Sequence, residues 1–394
     1  MAKGLRKLRV EKCTLVGLSY GGIVGFKMAE MFPNLVDSMV ITCSVVALTE
    51  SITCAGLQRI GFSSWAHYLI PETVEGVKKL LDFAFYKLPW IPDFVSRDIL
   101  EPLLQGLMKL AGVRPRAVEI EPGTVIHFWV PSETTTTSKP AVVFLHGFGL
   151  DGILTWQFQV LALAKKYAVY VPDLLFFGDS ITDKTERSPA FQAECMAKGL
   201  RKLRVEKCTL VGLSYGGIVG FKMAEMFPVL VDSMVITCSV MALTESITCA
   251  GLQRIGFSSW ADYLIPETVE GVKKLLDFAF YKLPWIPDFV YRDILEALYF
   301  DHKKERHELL EASTVKDEDF TVPSFTQRIY LLWGGDDIIF DKEEVRNLKE
   351  LLEGKATEHC IERAGHLVEL ECPLAYNRTL KQILASMYED GKEK

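Results

Sequence analysis

The chain has 394 residues, 49% hydrophobic and 24% charged, and its 44 Lys and Arg against 51 Asp and Glu give a net charge of -7. That is the composition of a folded globular protein, and a mildly acidic balance without a long basic run lacks the electrostatic footprint of a nucleic-acid binder. The longest apolar stretches, 12–26 and 80–95, are interrupted by Gly, Ser, Lys, Asp or Pro, so no transmembrane helix is expected.

The basic start, Met1 to Lys7, is not followed by an apolar core with a small-residue cleavage site, so no secretory signal is expected. Nine cysteines without a C-x-x-C pair point to reduced thiols and a cytoplasmic setting. Residues 1–101 recur at 196–296, with only Asn34/Val229, Val46/Met241, His67/Asp262 and Ser96/Tyr291 differing. One long block present twice is a duplication rather than a solenoid. The second copy begins at Met196, in the middle of a helix expected over Pro189 to Lys202. Residues 1–101 therefore read as a truncated duplicate, 102–115 as a connector and 116–394 as the complete fold. A copy without its neighbouring strands is expected to expose apolar surface.

In the complete part, Ala117–Glu121 and Thr124–Val130 read as a hairpin around Pro122-Gly123, followed by a Thr-rich loop at 134–137. Buried strands are expected at Ala141–Leu145, Ala168–Val171, Cys208–Leu213 and Ser233–Thr237, with helices over Trp156–Lys166, Pro189–Lys202 and Gly217–Met226. After a long helical stretch come strand Arg328–Trp333, helix Lys342–Leu352, strand Thr357–Ile361 and helix Pro373–Tyr388. Strands alternating with helices and lacking period-2 polarity predict a doubly wound, mostly parallel sheet covered on both faces, with reactive groups at the carboxyl ends of the strands.

At one such end stands Gly212-Leu213-Ser214-Tyr215-Gly216-Gly217. The G-x-S-x-G spacing between a strand and a helix is that of a nucleophile elbow: Gly212 and Gly216 permit the close approach, and Ser214 projects its hydroxyl. A hydroxyl needs a base and an orienting acid, in the order Ser, Asp, His. Strand 329–333 runs into Gly334-Gly335-Asp336-Asp337, and strand 359–361 into Arg363-Ala364-Gly365-His366. His366 is the histidine placed as a base. Asp337 is preferred to Asp336, which could instead turn the loop, and Asp341 reads as the cap of the next helix. An oxyanion would be held by the backbone N–H groups of Tyr215 and of Phe148, the latter in His146-Gly147-Phe148-Gly149. His146 reads as a residue that shapes that turn. The copy-one elbow, Gly17 to Gly21, has no oxyanion loop before it and no Asp and His after it, so Ser19 reads as a decoy.

These motifs, with Val171-Pro172-Asp173 to Ser180 and Leu332-Trp333-Gly334, resemble the α/β-hydrolase superfamily, and within it the plant proteins of the lysophospholipase and monoacylglycerol-lipase-like type, over about 116–394. The resemblance implies an α/β-hydrolase fold with Ser214 as nucleophile, Asp337 as orienting acid and His366 as base. It also implies that an insertion over about 244–322 forms a helical lid. Trp260, Tyr263, Phe280 and Trp285 of that insertion are candidates for an acyl pocket. The amphipathic run Val272 to Phe280 could touch a membrane surface, an ordinary half-buried lid helix being the competing reading.

The expected activity is hydrolysis of carboxylic esters with a lipophilic acyl or alcohol part through an acyl-enzyme, with a small ester or lipid as partner and no metal or organic cofactor. Alternatives are a carbon–carbon hydrolase of diketones, or a ligand receptor or inactive scaffold that keeps the three residues. Epoxide and haloalkane hydrolysis are disfavoured, because relatives with those activities use an aspartate where Ser214 stands.

Overall fold

The computed structural model describes residues 5, 10–61, 104–132, 139–283, 285–299 and 301–389, in two compact units, Met1–Pro92 and Asp93–Lys394. The Thr-rich loop 134–137 and the part of the duplicate beyond residue 61 lie outside the described residues. In the first unit, strand β1 (Cys13–Leu18), helix α1 (Tyr20–Met31), strand β2 (Val36–Thr42) and helix α2 (Glu50–Ile60) follow one another, with β1 and β2 parallel. Val16 and Leu18 are 78% and 66% exposed there, whereas their counterparts Val211 and Leu213 in the second unit are 0% and 1% exposed. The same six residues make a strand in both settings, but only one setting buries them.

The second unit opens on an antiparallel hairpin, β3 (Val113–Glu121) and β4 (Thr124–Pro131), turned at Gly123 with φ 79°. The strand starts inside the stretch read as connector, because Val113 and Arg114 pair with Pro131 and Val130 and so continue the ladder. Residues 104–110, also assigned to the connector, are helical. Then come β5 (Ala141–Leu145), α3 (Gly152–Leu163), β6 (Ala168–Pro172), β7 (Ile181–Thr182), α4 (Pro189–Lys202), β8 (Cys208–Leu213), α5 (Tyr215–Met226) and β9 (Val231–Thr237). After an insert the fold closes with β12 (Arg328–Gly334), α11 (Lys342–Leu351), β13 (Ala356–Ile361), α12 (Val368–Glu371) and α13 (Pro373–Glu389).

Local signals set these limits. Ser188 accepts a hydrogen bond from the N–H of Phe191 and Pro189 occupies the first turn, which starts α4 where the sequence places it, while Arg201 and Lys202 close its last turn. Asp341 accepts from the N–H groups of Glu343 and Glu344 and starts α11. Each such cap contributes about 1 kcal/mol. The insert runs from β10 (Leu243–Thr244) through α6 (Glu245–Ile255), α7 (Trp260–Leu264), α8 (Val269–Ala279), α9 (Asp288–Tyr299) and α10 (Lys303–Ser313) to β11 (Thr314–Val315). Leu243 pairs with Thr314 and Thr244 with Val315, so the insert is clipped at its base.

The main sheet has the order β13-β12-β9-β8-β5-β6-β4-β3, with β7 on β4. The strands from β13 to β6 are parallel, and β6 and β8 are buried along their whole length, which requires helices on both faces. From β5 the chain steps outward to β6, then returns past β5 to β8 and continues outward on the other side. The order therefore reverses between β5 and β8, the switch point where an α/β sheet opens a crevice at its carboxyl edge. Helix α5 is drawn tightly onto this point. A Cβ on Gly216 would lie 2.4 Å from the carbonyl oxygens of both Leu145 and His146. The matching Gly21 of the first unit has nothing within 4 Å of a Cβ position.

This pair gives an internal control. Gly216→Ala should destabilise the second unit by more than about 3 kcal/mol, beyond the usual overpacking range, since backbone oxygens cannot rotate away. Gly21→Ala should be neutral or gain roughly 0.5–1 kcal/mol from helix propensity. Urea denaturation of the two variants reads the difference, and equal midpoints would refute the packing argument.

Candidate functional site

The carboxyl ends of β5, β8, β12 and β13 carry the residues singled out from the sequence. Ser214 follows β8 and precedes α5 with φ 50° and ψ -121°. A positive φ on a residue with a Cβ costs about 1–3 kcal/mol, so the surroundings must hold it. The Ser214 N–H donates to the carbonyl of Thr237 at 3.0 Å, and its own carbonyl accepts from the N–H of Gly217 at 2.8 Å and from the Ser239 hydroxyl at 2.5 Å. A Cβ on Gly212 would lie 2.7 Å from the Gly216 carbonyl oxygen, so strand and helix meet at their glycines.

The loop after β5 lies against this turn: a Cβ on Gly147 would stand 3.4 Å from the Cβ of Ser214. His146 is fully buried, its Nε2 accepts from the N–H of Leu174 at 2.9 Å, and its Nδ1 therefore donates to the Gly147 carbonyl at 2.7 Å. Burial pushes its pKa down, against the nearby Asp173 charge that raises it, which favours the neutral ring that this pairing requires. The ring of Phe148 packs edge-on against Phe177 and Tyr215. The backbone of Tyr215 begins α5, where N–H groups lack helical partners.

Past β12, the two adjacent aspartates separate. The Asp337 carboxylate accepts from the N–H groups of Ile339 at 2.8 Å and Phe340 at 3.2 Å through Oδ1, and its Oδ2 lies 2.9 Å from His366 Nδ1. Asp336 instead accepts from the N–H of Arg363 at 2.9 Å and shapes the loop that carries His366. Sequence reasoning passed over Cys238, a buried residue after β9 with φ 45°. Its Sγ, a carboxylate oxygen of Asp337 and a ring nitrogen of His366 all lie within 4.8 Å of one another. Those atoms are of metal-ligating types, but Asp337 and His366 already engage each other, and burial pushes the Cys238 thiol well above its ordinary value, so it keeps its proton. The set fits an internal hydrogen-bonded group better than a metal centre.

Ser214 and His366 face one cavity, which they line with Phe148, Tyr215, Trp260 and Phe340. Of the four aromatic residues expected in a pocket, Trp260 alone lines this one. Tyr263 is buried within the insert between Phe257, Trp260 and Phe278, with its hydroxyl donating to the Leu275 carbonyl. Phe280 faces a separate, open cleft bordered by Asp336 and Arg346, and Trp285 is 87% exposed. Helix α8 turns Val272, Leu275 and Ala279 inward, so its apolar face packs on the protein. Among the described residues no helix is long and apolar enough to cross a membrane.

The segment that follows His366 carries an unusual carboxyl. Glu369, three residues after His366, is fully buried, and neither carboxyl oxygen finds a hydrogen-bond partner among the described residues. Burial raises its pKa to about 8. Folded Glu369 therefore keeps its proton to about pH 8, whereas an unfolded Glu releases it near 4.5. Between these values the folded state binds the extra proton, so stability falls as pH rises, by up to about 1.4 kcal/mol per unit. Glu369→Gln should remove this slope. Urea titrations at pH 5, 6.5 and 8 should show the variant gaining on the wild type at each step, and parallel curves would sink the assignment.

A family profile described as the α/β hydrolase fold matches residues 140–277. The human protein named epoxide hydrolase 4 is 22% identical over 175 residues, covering 42% of this chain and 42% of that protein. A pimeloyl-[acyl-carrier protein] methyl ester esterase of Aeromonas hydrophila is 37% identical over 101 residues, 25% of this chain and 38% of the esterase. The chain thus spans less than half the length of these curated relatives. Among solved structures, a bacterial membrane phospholipase A described as a virulence factor superposes with a TM-score of 0.61 at 25% identity, covering 79% of this chain and 97% of that one. By sheet order and by these likenesses, the chain has the α/β hydrolase fold.

Proposed function

We propose that the second unit is a serine hydrolase that cleaves carboxylic esters with a lipophilic part, and that residues 1–101 are a truncated duplicate without activity. One observation carries the reading: Ser214 sits on a strained elbow and shares a cavity with His366, whose Nδ1 is 2.9 Å from Asp337. With Nδ1 committed to Asp337, Nε2 is the nitrogen left to take the proton of Ser214. The hydroxyl oxygen then attacks the ester carbonyl carbon. The oxyanion would be met by the N–H groups of Tyr215 and Phe148, one at a helix start and one on the loop after β5. His366 returns the proton to the leaving alkoxide, and water releases the acyl group by the same steps.

Two features support an ester over an epoxide as substrate. The residue at the elbow is a serine, and opening an epoxide with a hydroxyl would leave an ether that water cannot release. An acyl-serine ester can be hydrolysed by the machinery that formed it. The lining by Phe148, Trp260, Phe340 and neighbouring aliphatic residues favours a lipophilic acyl chain over a charged one.

Incubation with a fluorophosphonate and peptide mapping should place the label on Ser214. Ser214→Ala should lower turnover of a medium-chain nitrophenyl ester at least about a thousandfold, while Ser19→Ala leaves it unchanged. Label on Ser19, or equal losses in the two variants, would overturn the proposal. Tight ligand binding with negligible turnover would point to a receptor instead.

A further inference from the structure

The loop that carries His366 is fastened to the insert on both sides of the histidine. Glu371, the last residue of α12, accepts the Gly365 N–H at 2.7 Å and the Tyr281 N–H at 3.0 Å through Oε2, and the Lys282 N–H at 2.9 Å through Oε1. Beside it the Leu367 N–H donates to the carbonyl of Ala279 at 3.1 Å. Gly365 and Leu367, which flank His366, are thus both tied to Ala279–Lys282, the segment by which the chain leaves α8. There is no slack at this seam: a Cβ on Gly365 would stand 2.7 Å from the Tyr281 nitrogen and 2.8 Å from the Ala279 oxygen.

The pattern of donors separates Glu371 from an ordinary helix-ending carboxylate. None of its three partners belongs to its own helix. Two come from the insert and one from the base loop, so one side chain bridges segments distant in sequence. Hydrogen bonds to a carboxylate are stronger than neutral ones, and here their N–H donors are fixed in the backbone, so moving the insert must break them together. We propose that Glu371 is a positioning residue that couples the insert to the base: displacement of 279–282 frees Gly365 and Leu367 and takes His366 out of line with Ser214. Hydrolysis then proceeds only with the insert seated, and an open insert admits substrate to a site whose base is disengaged.

This inference rests on Ser214 and His366 being nucleophile and base, and the test separates the two. Full-length wild type, Glu371→Gln and Glu371→Ala are compared by hydrogen exchange of 279–283 and 363–367, by fluorophosphonate labelling of Ser214, and by nitrophenyl ester kinetics. In Glu371→Ala, exchange should rise in both segments together. The kcat and the labelling rate should fall by about tenfold to a hundredfold, with KM changed less than about threefold. Glu371→Gln, which keeps one acceptor oxygen, should fall between. Should Glu371→Ala not fold, Lys282→Pro, which deletes one donor from the insert side, should give the same joint response in milder form. A folded Glu371→Ala with wild-type kcat and labelling, or faster exchange in one segment only, overturns the coupling. A wild type that takes no label at Ser214 overturns the nucleophile assignment and, with it, the catalytic half of the proposal, and the exchange response still decides the mechanical half.

Discussion

The arrangement at the carboxyl edge of the sheet depends on the close approach of α5 to the ends of β5 and β8. With no side chain on Gly216, the helix start can press against the carbonyls of Leu145 and His146, and with none on Gly212 the strand can bend into it. That approach brings the loop after β5 beside Ser214 and places both at the point where the strand order reverses. If α5 were held away by one methyl group, the loop that carries Phe148 and the turn that carries Ser214 would part. That loop and Ser214 would then no longer line one cavity. The strain at Ser214 is met by hydrogen bonds to its backbone: its N–H donates to the Thr237 carbonyl, and its carbonyl accepts from the N–H groups of Gly217 and Ile218 and from the Ser239 hydroxyl, so β9 with its following turn and α5 secure the conformation.

The duplicated block separates what is local from what is tertiary. Ser19 has φ 51° and ψ -120°, within a degree of Ser214, and Ser44 donates to its carbonyl as Ser239 does to that of Ser214. The elbow is therefore written in the strand-turn-helix sequence and the return strand. What the first unit lacks is burial: Tyr20 is 70% exposed where Tyr215 is 3% exposed. Near-identical residues thus give the same turn and a different environment. The loops that carry Phe148 and His366, which line the cavity beside Ser214, follow strands present once in the chain.

The same division explains which parts of the second unit were legible. The bounds of α4 and β8 agree with the sequence reading because a Ser-Pro start, a basic last turn and an unbroken apolar run are local signals. The start of β3 was missed because Val113 and Arg114 are extended by pairing with β4, and no local periodicity marks that. Aromatic residues of the insert all look alike in sequence. Trp260 reaches the cavity, Tyr263 fills the interior of the insert and Trp285, in the connection between α8 and α9, meets solvent, since position in the fold and not residue type decides which way each faces. Cys238, Glu369 and Glu371 gave no signal at all. A lone thiol or carboxylate acquires meaning only from what stands opposite it.

Three carboxylic acids lie close to His366 in space or in sequence, and they differ in the donors each receives. Asp337 takes two backbone N–H groups and the ring Nδ1, which fixes its oxygen toward the imidazole. Glu371 takes three backbone N–H groups and no side chain, so it acts on the path of the chain and not on the ring. Glu369 finds no donor among the described residues and is pushed to about 8, so at neutral pH it is uncharged. Burial without partners keeps Glu369 neutral, at a cost in stability that grows as the solution becomes more alkaline.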